Sequence, residues 1–168
     1  MLLGETREEL GGSEYLAIIH RRKAGAPPRV DLAAEAALQR LMVELARRGW
    51  LRSAHDCSEG GLAVAVAECC VMDPEHLIGA TIHGSRITVH GSSRPDALLF
   101  GESQGRIVIS CERRYLASIQ AAAAKAGVPA RVLGAVGGAR LSIYPWIDES
   151  LDVINETWRK GLEAHLTN

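Results

Sequence analysis

Aromatic residues are scarce in this 168-residue chain. Phenylalanine, tyrosine and tryptophan together make up 4% of it, with a single Phe. The hydrophobic share is nevertheless 47%, an ordinary value for a globular protein. The core must therefore be built mainly from Ala, Leu, Val and Ile. The length suits one domain over residues 1–168, since domains run to roughly 100–200 residues.

An excess of charge of one sign is also absent. Lys and Arg number 19, Asp and Glu number 20, and the formal net charge is -1. Proteins that bind nucleic acids usually carry a strongly basic face. The even balance of charges therefore argues against a nucleic acid as the main partner.

Long hydrophobic runs are missing too. No apolar run approaches the roughly 20 residues that a helix needs to span a bilayer. The segment Met1–Gly12 has no basic region leading into an apolar stretch, as a secretory signal would have. These absences predict a cytoplasmic protein that makes no contact with a membrane.

Cysteines with the spacing of a metal or disulfide site are lacking. The four cysteines are Cys57, Cys69, Cys70 and Cys111, and none forms a Cys-x-x-Cys pair. Zinc sites and disulfide frameworks both need more favourable spacing. We therefore expect buried free thiols in a reducing compartment and no metal site.

The pattern of apolar residues predicts a mixture of helices and strands. Helices are expected over residues 31–48, 61–72 and 113–126, with a helical turn at 95–100 and a final helix capped by Asp148. Strands are expected at 15–20, 80–83, 86–90, 106–111, 131–136 and 140–144, with hairpin turns at Gly84-Ser85 and Gly137-Gly138. The first dozen residues show no ordered element, as though the chain had been cut from something longer.

The order of these elements bears on the fold class. Strands and helices mix without a strict β-α-β alternation. This favours an α+β domain in which one mixed or antiparallel β-sheet is layered with α-helices. Two strand–helix–strand passages resemble a split βαβ plan, so the fold is expected to be partly ferredoxin-like.

The densest group of polar residues lies directly before the second predicted helix. It contains His55, Asp56, Ser58, Gly60 and Gly61. Free backbone N–H groups and the positive end of the helix dipole make such a loop a natural anion site. The alternative is an ordinary helix cap, in which Ser58 or Asp56 accepts an N–H and the glycines lie at the surface.

A second polar group precedes the strand predicted at 106–111. It consists of Gly101, Glu102, Ser103 and Gln104. Side chains with both donors and acceptors, placed between glycines, could bind ribose hydroxyls or phosphate oxygens. The alternative is a tight turn with solvated side chains. No Gly-Lys-Ser/Thr follows, so this is not a Walker A loop.

Other residue patterns that could indicate a catalytic or metal site are weak. His55, Asp56 and Ser58 do not indicate a hydrolytic triad, because adjacent residues point apart and a triad is assembled through space. Three histidines recur every seven residues, but no Cys or carboxylate completes a metal set with them; they are His76, His83 and His90. No pair of carboxylates stands out as a general acid and base.

Three motifs occur in order along the chain. Residues 11–16 read Gly-Gly-Ser-Glu-Tyr-Leu, residues 55–62 read His-Asp-Cys-Ser-Glu-Gly-Gly-Leu, and residues 99–106 read Leu-Phe-Gly-Glu-Ser-Gln-Gly-Arg. Each is modestly specific alone, but the three together are strong. They resemble the C-terminal domain of phosphoribosylformylglycinamidine synthase, the ATP-dependent large subunit (subunit II) of the purine pathway, which is related to aminoimidazole ribonucleotide synthetase. The resemblance covers essentially the whole chain.

The resemblance implies an activity and a fold. The family is a ligase that makes formylglycinamidine ribonucleotide from formylglycinamide ribonucleotide, ATP and glutamine-derived ammonia. The fold would be that of the aminoimidazole ribonucleotide synthetase C-terminal domain, here the second of two copies in a multidomain chain. ATP and Mg²⁺ would be cofactors of the intact enzyme. The family's catalytic histidine and magnesium carboxylates lie in parts without a match here, so this chain alone should hold no catalytic residue and be inactive.

The resemblance also implies binding residues and partners. Nucleotide or substrate binding would fall to Gly101, Glu102, Ser103, Gln104, His55, Asp56, Ser58, Gly60 and Gly61. Glu102, Ser103 and Gln104 match the second-half counterpart of a Glu-Ser-Gln loop that contacts the ribonucleotide in the family's first half. That counterpart faces a pseudo-symmetric site, which in some relatives holds a structural nucleotide. Partners would be the N-terminal domains of the same protein, a glutaminase and a small adaptor subunit.

Two other interpretations remain open. The chain could belong to another synthetase of the superfamily, of the aminoimidazole ribonucleotide or selenophosphate type. It could also be a non-catalytic module that packs or holds a nucleotide. Departures from the family pattern are small: Cys57 stands where Val or Ile is usual, and Glu59 where Asp is usual. Glu59 makes an anion contact through that side chain less favourable.

Overall fold

A computed structural model describes residues 1–87 and 94–166. Within these residues the strands are β1 (Leu2–Leu3), β2 (Ser53–Asp56), β3 (Ala80–His83), β4 (Ile107–Ser110), β5 (Ala130–Arg131), β6 (Gly134–Val136), β7 (Arg140–Tyr144) and β8 (Ile147–Ser150). The helices there are α1 (Glu14–Ile18), α2 (Leu32–Arg47), α3 (Gly61–Val71), α4 (Pro95–Phe100), α5 (Leu116–Ala126) and α6 (Leu151–Leu166). The α+β class is confirmed, but the described strands form two sheets rather than one.

The first sheet has the order β2-β4-β1-β5, and its strands are antiparallel to their neighbours. The expectation that the first dozen residues form no ordered element is wrong, because β1 lies inside this sheet. Leu2 pairs with Val108 on one side and Arg131 on the other. A two-residue strand carries too little pattern to be recognised locally, and its partners are more than a hundred residues away.

The second sheet has the order β6-β3-β7-β8, in which β3 and β7 run parallel. The hairpin predicted around Gly137-Gly138 is therefore wrong, since β6 and β7 lie on opposite sides of β3. The amide of Gly137 donates to the carbonyl of Gly79 at 2.7 Å, and the Gly79 amide donates to Gly138 at 2.9 Å. The turn thus wraps around the start of β3 instead of joining two paired strands.

Most helix boundaries agree with the prediction. Asp31 caps α2, its carboxylate accepting from the amides of Ala33 at 2.9 Å and Ala34 at 3.0 Å. Helix α3 is surrounded by apolar residues and is buried along most of its length, as its composition indicates. The predicted turn at 95–100 is α4.

The segment 15–20, predicted as a strand, begins with a helix instead. The hydroxyl of Ser13 accepts the Leu16 amide at 3.4 Å and donates to the Leu10 carbonyl at 2.6 Å. The Tyr15 ring stacks on Phe100 with centroids 5.0 Å apart. A serine cap and a tertiary contact thus outweigh the β-propensity of this short apolar run.

The turn predicted at Gly84-Ser85 is a 3₁₀-helix over Gly84–Arg86. Trp146 lies so close to Gly84 that a Cβ there would approach its ring to 2.4 Å. The backbone therefore forms a 3₁₀ turn packed against the indole instead of a hairpin turn. Of the strand predicted over 86–90, residues 88–90 lie outside the described part of the chain.

Asp148 does not cap the last helix. It lies in β8, where its carboxylate accepts from Arg140 Nε at 2.9 Å and from the Ser142 hydroxyl at 2.7 Å. Helix α6 begins after Ser150, whose hydroxyl accepts the Val153 amide at 3.3 Å. The intervening strand β8 pairs with β7, a contact that the capping pattern does not reveal.

Two hydrophobic clusters hold these layers together. The first joins α3 to the second sheet and includes Leu2, while the second packs α2 and α5 on the first sheet and includes Leu3. Successive residues of a strand point to opposite faces, so β1 contributes one leucine to each cluster. Among the described residues, no helix is long and apolar enough to cross a membrane.

Replacing Leu3 by Ala should destabilise the protein strongly. Leu3 is fully buried, and a buried Leu→Ala change costs about 2–5 kcal/mol. Leu32→Ala is the matched control, because Leu32 is 78% exposed and should lose no more than about 0.5 kcal/mol. Urea unfolding of both variants measures the difference, and equal losses would contradict the interior position of β1.

Candidate functional site

The two predicted loops meet at Glu102. One oxygen of its carboxylate, Oε1, accepts the Gly60 amide at 2.9 Å and the Glu14 amide at 2.9 Å. The first amide lies at the start of α3 and the second in the first turn of α1. The structure therefore brings together all three motifs found in the sequence, and a single carboxylate links them.

Gly61 allows this close approach. Its φ is +70°, and a Cβ at this position would lie 2.6 Å from the Gly101 carbonyl oxygen and 2.9 Å from that of Leu99. The start of α3 therefore abuts the end of α4 with no room for a side chain. The negative charge of Glu102 also complements the positive end of the α3 dipole.

Ser103 is directed into the protein. It is 1% exposed, and its hydroxyl donates to the Arg7 carbonyl at 3.3 Å and accepts the Arg7 amide at 3.2 Å. These two bonds tie the segment after β1 to the loop that follows α4. In this geometry Ser103 holds the loop in place, and its hydroxyl is already used.

Arg106 is a buried residue that our list of candidate site residues omits. It is 2% exposed, and its guanidinium donates to the carbonyls of Ser103 at 2.9 Å and Gly101 at 2.5 Å and to the Thr6 hydroxyl at 3.3 Å. Within the described residues no carboxylate lies at ion-pair distance from it, and burial lowers the pKa of Arg106. Its position at the end of the third motif was the signal available in the sequence.

Cys57 lies beside this arginine and is buried. Its amide donates to the Arg106 carbonyl at 2.9 Å, and burial raises the pKa of its thiol to about 11. The thiol is therefore neutral at physiological pH and a poor nucleophile. This agrees with the expectation of a buried free cysteine.

His55, Asp56 and Ser58 are arranged differently. His55 and Asp56 lie in β2, not in a loop, and the Nε2 atom of His55 is 3.3 Å from a carboxylate oxygen of Glu68 on α3. The hydroxyl of Ser58 donates to the Asp56 carboxylate, which lowers the pKa of Asp56. Asp56 and Ser58 are exposed, so this pair faces solvent next to the start of α3.

Gln104 is the exposed member of the Gly101–Gln104 loop. Its side-chain amide donates to the Glu102 carbonyl at 3.3 Å. It also lines a groove of about 220 Å³ together with Arg7, Arg29 and Glu35. The loop is thus divided: Ser103 is buried, Glu102 is half-buried and bonded to backbone amides, and Gln104 is exposed.

A metal site was not expected on this chain. Among the described residues, no group of three or more His, Cys, Asp or Glu side chains could hold a metal ion.

The two-sheet fold and the joined motifs define a recognisable class of domain. The sequence profile described as "AIR synthase related protein, C-terminal domain" matches residues 1–144. The chain belongs to this family.

Individual proteins similar to this chain are more informative than the family as a whole. The chain is 43% identical over 167 residues to "Phosphoribosylformylglycinamidine synthase subunit PurL" of Anaeromyxobacter sp. (strain Fw109-5), covering 98% of this chain and 22% of that protein. It is 39% identical over 166 residues to the PurL subunit of Moorella thermoacetica, covering 96% and 22%. The chain thus spans about a fifth of the length of these relatives.

Solved structures share the fold. "T. maritima PurL complexed with FGAR" superposes with a TM-score of 0.77 at 20% identity, covering 92% of this chain and 27% of that one. The E. coli hydrogenase maturation protein HypE has a TM-score of 0.60 at 21% identity, covering 89% and 48%. At these identities the similarity establishes the fold alone.

Glu102→Ala should destabilise the chain by about 2 kcal/mol, because hydrogen bonds to a charged group contribute about 1.5–3 kcal/mol. Glu102→Gln keeps an acceptor oxygen and should lose less. Glu59→Ala removes a neighbouring exposed carboxylate and should change stability by no more than about 0.5 kcal/mol. Urea unfolding should rank the losses Glu102→Ala, Glu102→Gln, Glu59→Ala; another order would contradict the linking role of Glu102.

Gly61→Ala should cost more than Gly49→Ala. Both glycines have positive φ, +70° and +65°, but a Cβ at Gly49 would have no neighbour within 4 Å. Gly49→Ala therefore measures the backbone strain alone, about 1–2 kcal/mol. The excess loss at Gly61, seen in urea unfolding, measures the contact between α3 and α4, and equal losses would disprove that this contact is tight.

Proposed function

We propose that this chain is the C-terminal domain of a phosphoribosylformylglycinamidine synthase large subunit. The longer protein would convert formylglycinamide ribonucleotide, ATP and glutamine-derived ammonia to formylglycinamidine ribonucleotide, ADP and phosphate. The observation that carries the proposal is the 43% identity to a PurL subunit across 98% of this chain. Because the chain spans 22% of that relative, it supplies part of the enzyme and should not hydrolyse ATP alone.

The joined loops would form one side of a nucleotide or substrate site. Asp56 and Ser58 are exposed next to the start of α3, and Gln104 is exposed on the loop that follows α4. A phosphate or ribose could meet polar side chains on either loop. Glu102 and Ser103 bond to other segments of the chain and would position this surface rather than touch the ligand. His55, Gly60, Gly61 and Gly101 would keep the two loops together.

The remaining machinery would come from outside this chain. ATP would bind with Mg²⁺ in the intact enzyme, and the ion does not fit the described residues alone because they offer no cluster of ligands. The N-terminal domains would supply its carboxylates and the catalytic groups. Glutaminase and small adaptor subunits would deliver ammonia; a relative of similar fold appears in a structure named "PurLQS from Thermotoga maritima". A cytoplasmic location fits the free thiols.

A structural role is the alternative that an observation favours. The contacts of Glu102 and Ser103 described above are all internal. A module that only packs against its neighbours, or holds a nucleotide without turnover, would need no more than this. The two functions differ in what Gln104 does, since its side chain is exposed and its loss should not affect folding.

A chimaera tests the proposal. The matched C-terminal region of the Anaeromyxobacter sp. PurL subunit is replaced by this chain, and product formation is measured with formylglycinamide ribonucleotide, ATP and ammonia. We expect the turnover rate to stay within about tenfold of the parent's, which corresponds to a loss of no more than about 1.4 kcal/mol of transition-state stabilisation. The control carries the corresponding HypE domain, which shares the fold, and should be inactive.

Gln104→Ala in the chimaera separates the two roles. A raised KM for the ribonucleotide or ATP, with an unchanged unfolding midpoint, supports ligand contact. Unchanged kinetics favour the packing module. A chimaera that folds like the parent but gives no product would overturn the proposed function.

A further inference from the structure

Helix α2 packs one side on the first sheet and exposes the other. The side in the core carries three buried leucines, Leu38, Leu41 and Leu45. Arg40, Val43 and Arg47 follow one another at spacings of three and four, so they share the opposite side of the helix. All three are exposed, and half of the Val43 surface is accessible.

The exposed stripe alternates charged and apolar side chains. Within the part of the chain that the structure describes, neither Arg40 nor Arg47 forms a side-chain hydrogen bond or ion pair. They are two helical turns apart, or about 10 Å along the axis, with Val43 between them. Glu44 is the one acidic residue among the described residues that line this shallow groove. The groove is therefore positively charged and has an apolar centre.

A row of stacked planar groups continues this surface past the end of α2. The guanidinium carbon of Arg48 lies 4.7 Å from the ring centroid of Trp50. The Trp50 and Tyr115 rings are stacked with centroids 6.0 Å apart, and the Arg114 guanidinium carbon lies 4.9 Å from the Tyr115 centroid. The row therefore connects α2 to the turn directly before α5.

Two carboxylates hold the arginines of this row. A nitrogen of Arg48 is 2.8 Å from Glu44, and a nitrogen of Arg114 is 2.8 Å from Glu112. Exposed ion pairs add little to stability, but they order these side chains before anything binds. An ordered side chain loses less conformational entropy on binding, and Arg, Trp and Tyr are the residues enriched at interface hot spots.

The polar ends of the two rings are available to a partner. The Trp50 indole N–H and the Tyr115 hydroxyl have no hydrogen-bond partner among the described residues, and both rings are half-buried. Such groups normally find a partner when an interface covers them. Both can donate to a carboxylate.

The same geometry disfavours a nucleic acid. Proteins that bind single strands offer open ring faces on which bases stack, whereas each of these rings already contacts a guanidinium and the other ring. Glu44 and Glu112 would also repel phosphates. A protein helix with carboxylates on either side of an apolar residue matches the stripe on α2 in both charge and spacing.

We propose that this surface docks an acidic amphipathic helix of another protein. The partner helix lies along α2, with carboxylates two turns apart at Arg40 and Arg47 and an apolar residue on Val43. One end of it meets the donors of Trp50 and Tyr115. The inference does not rest on the proposed function, because it uses only the side chains of this surface.

Two labelled helical peptides of equal composition test this surface. The first has three repeats of Glu-Ala-Ala-Leu-Ala-Gln-Ala, which place the glutamates two turns apart with the leucines on the same side. The second repeats Glu-Ala-Leu-Ala-Ala-Gln-Ala, which moves the leucines to the opposite side. Fluorescence anisotropy at about 50 mM salt measures the binding of each peptide, and of a labelled DNA duplex, to this chain.

We expect the first peptide to bind, and the double variant Arg40→Glu, Arg47→Glu to weaken its binding at least about tenfold, because attraction becomes repulsion at two positions. Arg22→Glu with Lys23→Glu is the matched control. It makes the same change in net charge on the exposed loop before α2, and it should alter binding less than about twofold. Tyr115→Phe removes only the hydroxyl and should weaken binding about threefold.

The second peptide should bind at least about threefold more weakly than the first, since its leucines cannot cover Val43. Equal binding of the two peptides, or equal losses in the two double variants, would show a general attraction of charges and overturn the proposal. Tighter binding of the DNA duplex than of the first peptide would also overturn it, as would no peptide binding up to about 1 mM. The Tm of both double variants should match that of the unchanged chain, because all four positions are exposed.

Discussion

The carboxylate of Glu102 is the contact on which the arrangement of the candidate site depends. One oxygen accepts amides that lie 88 and 42 residues away in sequence. It thereby fixes the start of α1, the start of α3 and the loop after α4 relative to one another. Its charge is stabilised by the positive end of the α3 dipole, so the same group that joins the motifs also neutralises that helix end.

Arg106 holds the Gly101–Gln104 loop in place by hydrogen bonds to its backbone. Its guanidinium donates to two carbonyls of the 101–103 segment and to the Thr6 hydroxyl, and the residue is 2% exposed. A buried charge is tolerated only where hydrogen bonds replace its hydration. The loop is thus held by its backbone, which leaves Gln104 free to face solvent. The exposure of Gln104 and the hydrogen bonds of half-buried Glu102 both follow from the way this turn is packed.

Local sequence patterns predicted the features that depend on residues close together in the chain. The Asp31 cap of α2, the periodicity of α2, α3 and α5 and the strands β3 and β4 follow from residues within one or two turns of each other. The cap expected from Ser58 or Asp56 is wrong, because α3 begins after Gly60 with no side-chain cap. The same reasoning failed at 15–20, where the Tyr15–Phe100 stack is a contact between distant residues. It also missed β1, β2 and β8 and assigned a hairpin at Gly137-Gly138, because strand pairing joins residues far apart in the chain.

The sequence by itself determined the α+β class, most helices, the polar loop at Gly101–Gln104 and the family to which the chain belongs. Only the tertiary structure decided that the described strands form two sheets, that Leu2 and Leu3 lie inside one of them, and which polar residues face inward. The reason is physical. Side-chain type and spacing specify what a segment can do, but the direction of Ser103 or Gln104 is set by the partners that the fold brings within hydrogen-bonding distance.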